Sequence, residues 1–394
     1  MNLDELLFDE ELRRREFPVA ANRIFMAHAA VTALPRVAVE AMRDFAERGA
    51  QDSQENEWVW AKVAAARRAA ARLLGCDARE IALLGPTALG LNLVANGFPW
   101  KAGDEVIYYR DDYPANVYPW TSLAERGVKA ISLAPETPGR ITWDLVEAAI
   151  TSRTRLVALA SCSFLSGYRI DVDQIGKNLH ERGILFSLDA IQTLGAFPVS
   201  TEHVDFLSAD SHKWLLGPVG AGIFYVKAAH HDFLKPTLLG SWNVVSPQFI
   251  AQDRIAYYEG ARRYEPGSLN LPGIVGMHAA MEMILDIGVE AISERLLELR
   301  RTFLAKVRPL GYRLYIEDWD SSGAASDGER SCIISLTHPQ HDLKAVAQRL
   351  REANVSISLR QNRNGDSLLR FSPHFYATRG ETERVAAILR DPTP

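Results

Sequence analysis

The stretch SLDAIQTLGAFPVSTEHVDFLSADSHKWLLGP, residues 187–218, decides the fold class of this 394-residue chain. It holds two short apolar runs: Asp189 closes the first, and Lys213 follows the end of the second by three residues. In open α/β sheets, ligands collect at the carboxyl ends of the strands. Taken alone, an aspartate and a lysine in these positions more often form a buried salt bridge. Other residues of the chain are therefore needed to distinguish a functional site from a structural ion pair.

Working outward from this stretch, strand-length apolar runs alternate with helix-like segments. Near-continuous apolar strands with helical connections predict a parallel sheet that is covered on both faces. The last run follows too closely for a crossover helix, so we expect it to be an antiparallel partner. The predicted strands are DEVIYY (104–109), RLVALAS (155–161), GILFSLDA (183–190), VDFLSAD (204–210) and AGIFYV (221–226), and the predicted helices include 58–74, 141–150 and 171–182.

The pattern changes after residue 260, which predicts a smaller α+β domain. Thr378 and Glu381 have the spacing of a capping box for a final helix. We expect three units: an N-terminal arm (1–21) that packs with the small domain, a large domain (22–265) and a small domain (266–394). The small domain should contain a helix over 274–307 interrupted near Gly288, strands at 331–336, 355–359 and 367–371, a helix over 343–353, and a polar surface loop over 317–330.

Composition and charge exclude several classes of protein. Hydrophobic residues make up 47% and charged residues 24%, as in globular proteins, and the formal net charge is −5 without a basic tract. We therefore expect no nucleic-acid partner. No apolar run is long enough for a membrane span, and the N-terminus does not resemble a signal peptide. The three cysteines have no paired spacing and no metal motif is present, so we expect reduced thiols, no metal and a cytoplasmic location.

The residues around Lys213 match what pyridoxal 5′-phosphate (PLP) requires. A lysine that forms a Schiff base must be neutral and nucleophilic. A carboxylate must keep the pyridine nitrogen protonated, and Asp189 is suited to this. The phosphate needs donors at a helix N-terminus, which the Gly85–Ala88 loop can supply. The ring needs a flat partner, and Tyr113 follows the strand at 104–109.

Seven segments in order now give a resemblance: GPTALGLNLVANG, DDYPANVYPW, SFLSGYRIDV, SLDAIQT, SADSHKWLLGP, RRYEPGSLN and LLRFSPHFYAT. Together they resemble the class V, cysteine-desulfurase-like group of fold-type I PLP enzymes. Within the group the chain is most similar to the isopenicillin-N-epimerase-like branch. The resemblance implies an α/β fold with a large, mainly parallel sheet domain and a smaller C-terminal α+β domain.

The resemblance also implies residue roles. Lys213 matches the Schiff-base lysine, Asp189 the carboxylate at the pyridine nitrogen, and Tyr113 the stacking residue. Arg370 matches the arginine that grips the substrate α-carboxylate, a task suited to a bidentate guanidinium. The implied cofactor contacts are completed by Gln192 at the ring hydroxyl, by Thr87, Ala88, Ser211 and His212 at the phosphate, and by Ser268 reaching the phosphate of a neighbouring subunit in a homodimer with composite sites.

Several nearby residues keep two interpretations. His28 and Ala29, in the turn HAA, are expected near the substrate entrance, although a structural histidine that bonds a loop fits equally well. Arg360 either contacts substrate or solvates an edge strand. Cys162 and Trp242 have the same two options, substrate contact or packing. Arg169 and Asp171 are expected to form a local ion pair.

One departure from the desulfurases concerns the expected reaction. The stretch LRQNRNGDSLLR (359–370) lacks the loop cysteine that accepts sulfur in those enzymes, which disfavours persulfide chemistry. We expect an aminotransferase-like enzyme acting at the α-carbon of an amino acid. The alternatives are an amino-acid epimerase, a C–S or selenocysteine-type β-lyase, and a noncatalytic relative that serves as a binding module.

Overall fold

Strands and helices alternate along the first two thirds of the chain. The computed structural model describes residues 3–323 and 325–390. Within them the strands are β1 (Ile24–Phe25), β2 (Ile81–Leu84), β3 (Glu105–Tyr109), β4 (Lys129–Leu133), β5 (Thr154–Ala160), β6 (Leu185–Asp189), β7 (Phe206–Asp210), β8 (Gly222–Val226), β9 (Arg313–Leu314), β10 (Ile334–Thr337), β11 (Val355–Ser356), β12 (Ser358–Gln361) and β13 (Ser367–Phe371). The α-helices are α1 (Leu3–Phe8), α2 (Glu10–Glu16), α3 (Val19–Asn22), α4 (Arg36–Gly49), α5 (Glu57–Leu74), α6 (Thr87–Gly97), α7 (Tyr118–Thr121), α8 (Trp143–Ala149), α9 (Val172–His180), α10 (Leu271–Ile287), α11 (Val289–Val307), α12 (Glu317–Asp320), α13 (Leu343–Glu352) and α14 (Arg379–Arg390).

The large sheet has seven strands in the order β2-β8-β7-β6-β5-β3-β4. The five strands from β7 to β4 are parallel to their neighbours, whereas β8 runs antiparallel to both β7 and β2. The predicted parallel sheet and its antiparallel last strand are therefore confirmed. Strand β4 was not predicted, because this edge strand is largely exposed and lacks a continuous apolar run.

Both faces of this sheet are covered, as the apolar strands predict. Side chains alternate between the two faces of a strand. In β5, Val157 and Leu159 join one buried core, while Leu156 and Ala158 join the core on the other face. Strand β5 thus contributes side chains to two cores. Packing on both faces holds the carboxyl end of the strand in place.

Helix α6 lies against β7 because the residue that faces the strand has no side chain. A Cβ on Gly90 would lie 2.4 Å from Ser208 Oγ, so only glycine permits this approach. The contact brings the N-terminus of α6 to the end of β7, where Thr87 Oγ1 accepts a hydrogen bond from the backbone N–H of Asp210 (2.8 Å). The first turn of α6 is thereby placed at the carboxyl edge of the sheet.

The C-terminal region contains a four-stranded antiparallel sheet in the order β12-β13-β10-β9. The predicted strand 355–359 is wrong as a single element, because β11 pairs with β1 while β12 pairs with β13. The break separates a strand that receives the N-terminal segment from one that belongs to the antiparallel sheet. The interruption of the long helix at Gly288 and the capping box of α14 are both confirmed.

The N-terminal arm is held by the end of the chain. The Arg13 guanidinium donates to the Tyr376 carbonyl and to Glu381, and the rings of Phe17 and Tyr376 stack at 4.0 Å. Helix α10 packs on α4 and α5, whereas α11 packs on α14. The limit between large and small domains at residues 265 and 266 stays a prediction. Residues 1–2, 324 and 391–394 of the predicted arm and small domain lie outside the described residues.

The predicted polar surface loop over 317–330 is wrong in its first part. Residues Glu317–Asp320 form α12, and Trp319 and Asp320 are buried. The Asp320 carboxylate receives guanidinium groups from Arg300 (2.9 Å), Arg308 (2.8 Å) and Arg330 (3.1 Å). A polar sequence is buried here because three arginines, in α11, directly after it and at the end of the 317–330 stretch, form ion pairs with Asp320.

The predicted ion pair between Arg169 and Asp171 is also wrong. Asp171 instead caps α9 by accepting a hydrogen bond from the backbone N–H of Gln174. The Arg169 guanidinium lies over the Phe197 ring, 3.9 Å from its centroid, and donates to the Arg330 carbonyl. The two side chains do not pair because Asp171 caps the helix that follows it, whereas Arg169 has partners in other segments.

In the part of the chain that the structure describes, no helix combines the length and hydropathy needed to cross a bilayer. The same residues contain no group of three or more His, Cys, Asp or Glu side chains arranged to hold a metal ion.

We expect Asp320→Asn to lower the free energy of unfolding by about 3 kcal/mol, because it leaves the buried Arg300 guanidinium without its carboxylate. Burial opposes ionisation of Asp320, but Arg300 and its neighbours hold the pKa of this carboxyl below its usual value. Urea unfolding followed by circular dichroism measures the change. Asp318→Asn, on the exposed side of the same helix, is the control, with an expected change within about 0.5 kcal/mol. Equal effects of the two substitutions would contradict the prediction.

Candidate active site

The predicted lysine and carboxylate lie at the same edge of the large sheet. Asp189 is the last residue of β6, and Lys213 follows the end of the adjacent strand β7. Both side chains are buried, with exposed fractions of 3% and 6%. The turn after Lys213 is closed by Ser211, whose hydroxyl donates to the Pro218 carbonyl (2.7 Å). The chain thus fixes one amine and one carboxylate in a buried site.

Burial controls the charge of Lys213. Removal from water lowers the pKa of its ammonium to about 8, against the opposing field of Asp189 and with help from Arg370 and Arg360. Burial likewise raises the pKa of Asp189 to about 6, although the backbone N–H of Ile191 and the Lys213 ammonium oppose the shift. A neutral amine is therefore accessible near neutral pH, which is the state that attacks a carbonyl.

Two of the predicted phosphate contacts lie at the N-terminus of α6. Thr87 and Ala88 occupy its first turn, where backbone N–H groups have no carbonyl partner within the helix. His212 Nδ1 lies 3.0 Å from Asp210 Oδ1. The Ser211 hydroxyl already donates to a backbone carbonyl, and this supports a structural role for Ser211. Sequence reasoning missed Asp210, whose only signal is its place three residues before Lys213.

Tyr113 presents its ring to the lysine. Lys213 Nζ lies 5.4 Å from the centroid of the ring, and Phe164 packs against the ring edge-on at 5.5 Å. Despite these neighbours the Tyr113 side chain is 49% exposed. An aromatic face left open beside a buried amine is suited to stack a flat ring.

A buried carboxyl that sequence reasoning missed positions Tyr113. Asp112 accepts hydrogen bonds from the backbone N–H of Tyr113 (2.7 Å) and from Asn116 Nδ2 (3.0 Å). Burial raises the pKa of Asp112 to about 7, and the negative charge of Asp189 adds to the shift. The available signal was the dipeptide Asp-Tyr in DYPANVYPW, which puts a carboxyl beside the predicted stacking residue.

Both the nitrogen and the oxygen of the Gln192 side-chain amide form hydrogen bonds. Its Nε2 donates to the Ala29 carbonyl (3.2 Å), and its Oε1 accepts a hydrogen bond from Trp214 Nε1 (2.9 Å). One N–H of the amide remains for a further acceptor, so the predicted contact with a ring hydroxyl stays possible for this group. Ala29 contributes a backbone carbonyl that orients Gln192.

His28 has the contacts of a structural histidine. Its ring is fully buried, Nδ1 donates to the Ser372 carbonyl (3.0 Å), and Nε2 accepts from the Tyr376 hydroxyl (2.9 Å). Burial, with His374 nearby, lowers the pKa of His28 well below its usual value. Because both ring nitrogens are engaged, the structure supports loop bonding over the predicted substrate contact.

Arg370 enters the site from the small sheet without a carboxylate partner in the described residues. Its Nη1 donates to the Phe164 carbonyl (2.7 Å) and its Nη2 to Ser358 Oγ (3.4 Å), while its Nε has no partner. Burial, and then the nearby Arg360 guanidinium, lower the pKa of Arg370 to about 9. A buried cation in this state favours an incoming carboxylate.

The remaining predicted residues lie apart from this group. Ser268 is exposed and makes no hydrogen bond among residues 3–323 and 325–390. Trp242 packs against Trp60 with ring centroids 5.1 Å apart, which supports packing. Cys162 and Cys332 are fully buried, and burial raises the pKa of their thiols to about 11 and about 12.

This set of groups fits PLP. It combines a desolvated amine, a buried carboxylate at a neighbouring strand end, an open aromatic face and the unpaired donors at the start of α6. The fold and the site together define a PLP-dependent enzyme of fold-type I. The family profile described as Aminotransferase class-V matches residues 24–385, and the chain belongs to this family.

Curated relatives and solved structures agree with this assignment. A probable cysteine desulfurase of Methanothermobacter thermautotrophicus is 27% identical over 301 residues, which cover 75% of this chain and 74% of that protein. The apo cysteine desulfurase from Thermococcus onnurineus NA1 superposes with a TM-score of 0.87 at 23% identity, covering 97% of both chains. The cystine C–S lyase C-DES, in complex with its product cysteine persulfide, gives a TM-score of 0.85 at 20% identity over 96% of this chain and 100% of that chain. The similarity to the isopenicillin-N-epimerase-like branch stays a prediction.

We expect the cofactor-free protein to capture PLP through Lys213, with a rate that rises with pH and levels off above about 8. The neutral amine is the nucleophile, and it appears as pH rises through the lowered pKa of Lys213. Growth of visible absorption measures capture, and borohydride reduction with peptide mapping locates it. Lys227→Ala, which removes an amine bonded to the Glu202 carbonyl, is the control and should behave as the parent. Recovery of the pyridoxyl group on a different lysine would contradict the assignment.

Asp189→Asn should retain PLP but lose turnover by a factor of a hundred or more. The amide cannot supply the negative charge that keeps the ring nitrogen protonated, and each pKa unit lost corresponds to about 1.4 kcal/mol. Bound cofactor is measured by absorbance and turnover with amino-acid substrates. Asp173→Asn, an exposed change on α9, is the matched control. Near-parental turnover in Asp189→Asn would show that this carboxylate does not support the chemistry.

Proposed function

We propose that this protein is a PLP-dependent C–S lyase that cleaves a cysteine-type amino acid by β-elimination and forms no persulfide on the enzyme. The similarity to cysteine desulfurases supports C–S chemistry better than the aminotransferase expected from the sequence. The absence of an enzyme persulfide is proposed because the connection between β12 and β13, beside Arg370, contains no cysteine.

The residues of the site divide the reaction among them. The Arg370 guanidinium binds the α-carboxylate of the amino acid and fixes its orientation. The Lys213 amine, whose pKa is lowered to about 8, removes the proton from the α-carbon in its neutral form. The C–S bond then breaks, and the sulfur leaves with the electron pair and takes up a proton. Bound PLP supplies an electron-accepting ring that stabilises negative charge at that carbon. Asp189 keeps a negative charge at the pyridine nitrogen, and Tyr113 covers one face of the site.

The connection between β12 and β13 is fastened to the large sheet. The Arg363 guanidinium bonds to the Asp111 carboxylate through Nε and to the Arg110 carbonyl through Nη2 (2.8 Å). A sulfur-accepting thiol has to be ionised and has to reach the substrate. This segment has neither a thiol nor free ends, and the raised pKa values of Cys162 and Cys332 keep both thiols protonated.

The other expected reactions have less support. Aminotransfer and epimerisation use the same lysine and carboxylate, so the site does not exclude them, but the relatives named above are not described as performing them. The noncatalytic alternative would not need a buried lysine whose pKa is lowered beside an Arg370 that has no carboxylate partner among the described residues. The combination of costly buried charges supports catalysis.

The homodimer with composite sites and the cytoplasmic location stay predictions. The dimer receives support from Gly267 and Ser268, which form an open surface segment: a Cβ on Gly267 would meet no atom within 4 Å. Such a segment is free to reach a neighbouring subunit, as the resemblance implies for Ser268.

With cysteine as substrate, we expect pyruvate, ammonium and hydrogen sulfide in equal amounts, since water completes the elimination. A Cys162→Ser, Cys332→Ser variant that retains the visible absorption of PLP should retain the activity. Lactate dehydrogenase coupling, sulfide trapping and mass spectrometry of the intact protein measure the products. Alanine as co-product together with an added sulfur atom on the protein would contradict the proposal and indicate a desulfurase. If the double variant does not bind PLP, the products and the mass of the parent enzyme decide the question.

A further inference from the structure

The Gln192 side chain lies between the two turns that carry the reactive groups. Gln192 follows Asp189 in a turn where the Ile191 N–H donates to Asp189 Oδ1 (3.0 Å). Trp214 directly follows Lys213, and its indole N–H donates to Gln192 Oε1 (2.9 Å). Gln192 and Trp214 are almost completely buried, with exposed fractions of 2% and 1%. A buried hydrogen bond therefore links the turn of the carboxylate to the turn of the lysine.

Two hydrogen bonds of opposite polarity fix the direction of the Gln192 amide. Its Nε2 donates to the Ala29 carbonyl (3.2 Å), whereas its Oε1 accepts from Trp214. Turning the amide over would place its nitrogen against the indole N–H and its oxygen against a carbonyl, so that both bonds would be lost in a buried place. The second N–H of Nε2 has no acceptor within residues 3–323 and 325–390. The amide nitrogen therefore keeps one donor for a ligand.

Trp214 is itself held in place by the segment that follows β13. His374 Nδ1 accepts a hydrogen bond from the Phe375 N–H (2.9 Å), so the neutral ring carries its proton on Nε2, which donates to the Trp214 carbonyl (3.1 Å). Burial lowers the pKa of His374 to about 4, which keeps this ring neutral near neutral pH. The imidazole and the indole also pack together, with ring centroids 5.4 Å apart. The indole thus has a fixed position beside Gln192.

We propose that Trp214 is a positioning residue for PLP, whose indole N–H holds the Gln192 amide so that the remaining amide N–H donates to the ring hydroxyl oxygen of the cofactor. The resemblance to the family implies the contact between Gln192 and this oxygen, and the hydrogen bonds above assign its control to Trp214. The inference concerns the binding of PLP and goes beyond the proposed C–S lyase reaction.

The proposed contact has a consequence for the charge of bound PLP. The ring hydroxyl oxygen is next to the carbon to which Lys213 becomes bonded, and it shares a proton with the lysine nitrogen. A hydrogen bond from Gln192 stabilises negative charge on this oxygen, so the shared proton is released at a lower pH. Loss of the indole N–H should therefore raise the pH at which the visible absorption of PLP changes.

The test measures the pH midpoint of this absorption change in the holoenzyme without substrate. Trp214→Phe keeps an aromatic ring and removes the N–H, so it should retain PLP and raise the midpoint by about one pH unit, the shift expected for one hydrogen bond to a charged group. Gln192→Met removes the donor itself and should raise the midpoint at least as much. Because Trp214 acts through Gln192, the double variant should match Gln192→Met alone.

Trp100→Phe is the matched control. It removes an indole N–H that donates to the Ala95 carbonyl (2.8 Å), beyond the C-terminal end of α6, and should keep the parental midpoint. A purely structural role of Trp214 would lower the free energy of unfolding without moving the midpoint. An unchanged midpoint in Trp214→Phe, or shifts of the two single variants that add in the double variant, would overturn the inference.

A second replacement separates the N–H of Trp214 from the shape of its ring. Benzothienylalanine at this position has a sulfur atom in place of the N–H and nearly the same volume. If Trp214→Phe does not fold or does not bind PLP, the midpoint of this analogue decides. A rise supports the inference, while an unchanged midpoint, or a protein without PLP, contradicts it. Since no substrate takes part, failure of the inference leaves the proposed reaction intact, and the converse also holds.

Discussion

The rest of the site depends on the burial of Lys213, which makes the neutral form of its amine accessible near neutral pH. Burial lowers the pKa of this lysine to about 8 even though Asp189 acts against the shift. Arg370 and Arg360 work in the same direction as burial, so two guanidiniums of the small sheet help to prepare the nucleophile. The charges of the small sheet and the reactive amine are thus coupled through one electrostatic balance.

The electrostatic balance at Lys213 requires the small sheet to meet the large sheet at the carboxyl ends of its strands. The large sheet supplies Asp189 and Lys213 at adjacent strand ends, while the antiparallel small sheet supplies Arg370. The Phe164 carbonyl receives Arg370, and Asp111 receives Arg363, so the small sheet is fastened to the segments that follow β5 and β3. The N-terminal arm adds a further tie through Arg13 and Glu381.

The proposed reaction follows from the groups at the site, which include a buried lysine and carboxylate but no thiol beside Arg370. The fold is that of the cysteine desulfurases, yet the segment beside Arg370 holds an anchored arginine where a sulfur acceptor would need a mobile thiol. A shared fold does not carry a shared reaction, because the reaction is decided by the groups at the site. The proposed elimination needs no thiol of the enzyme, since it uses the Lys213 amine, the Asp189 carboxylate and bound PLP.

The sequence by itself determined the alternating layers, the ends of the central strands, and the roles of Lys213, Asp189 and Tyr113 as candidates, because these depend on local periodicity and on short motifs. It did not reveal α12 or the burial of Asp320, whose stability comes from arginines in other segments. It also left open whether His28 is structural. Only the tertiary structure provided the evidence, because partners distant along the chain bond both ring nitrogens of His28.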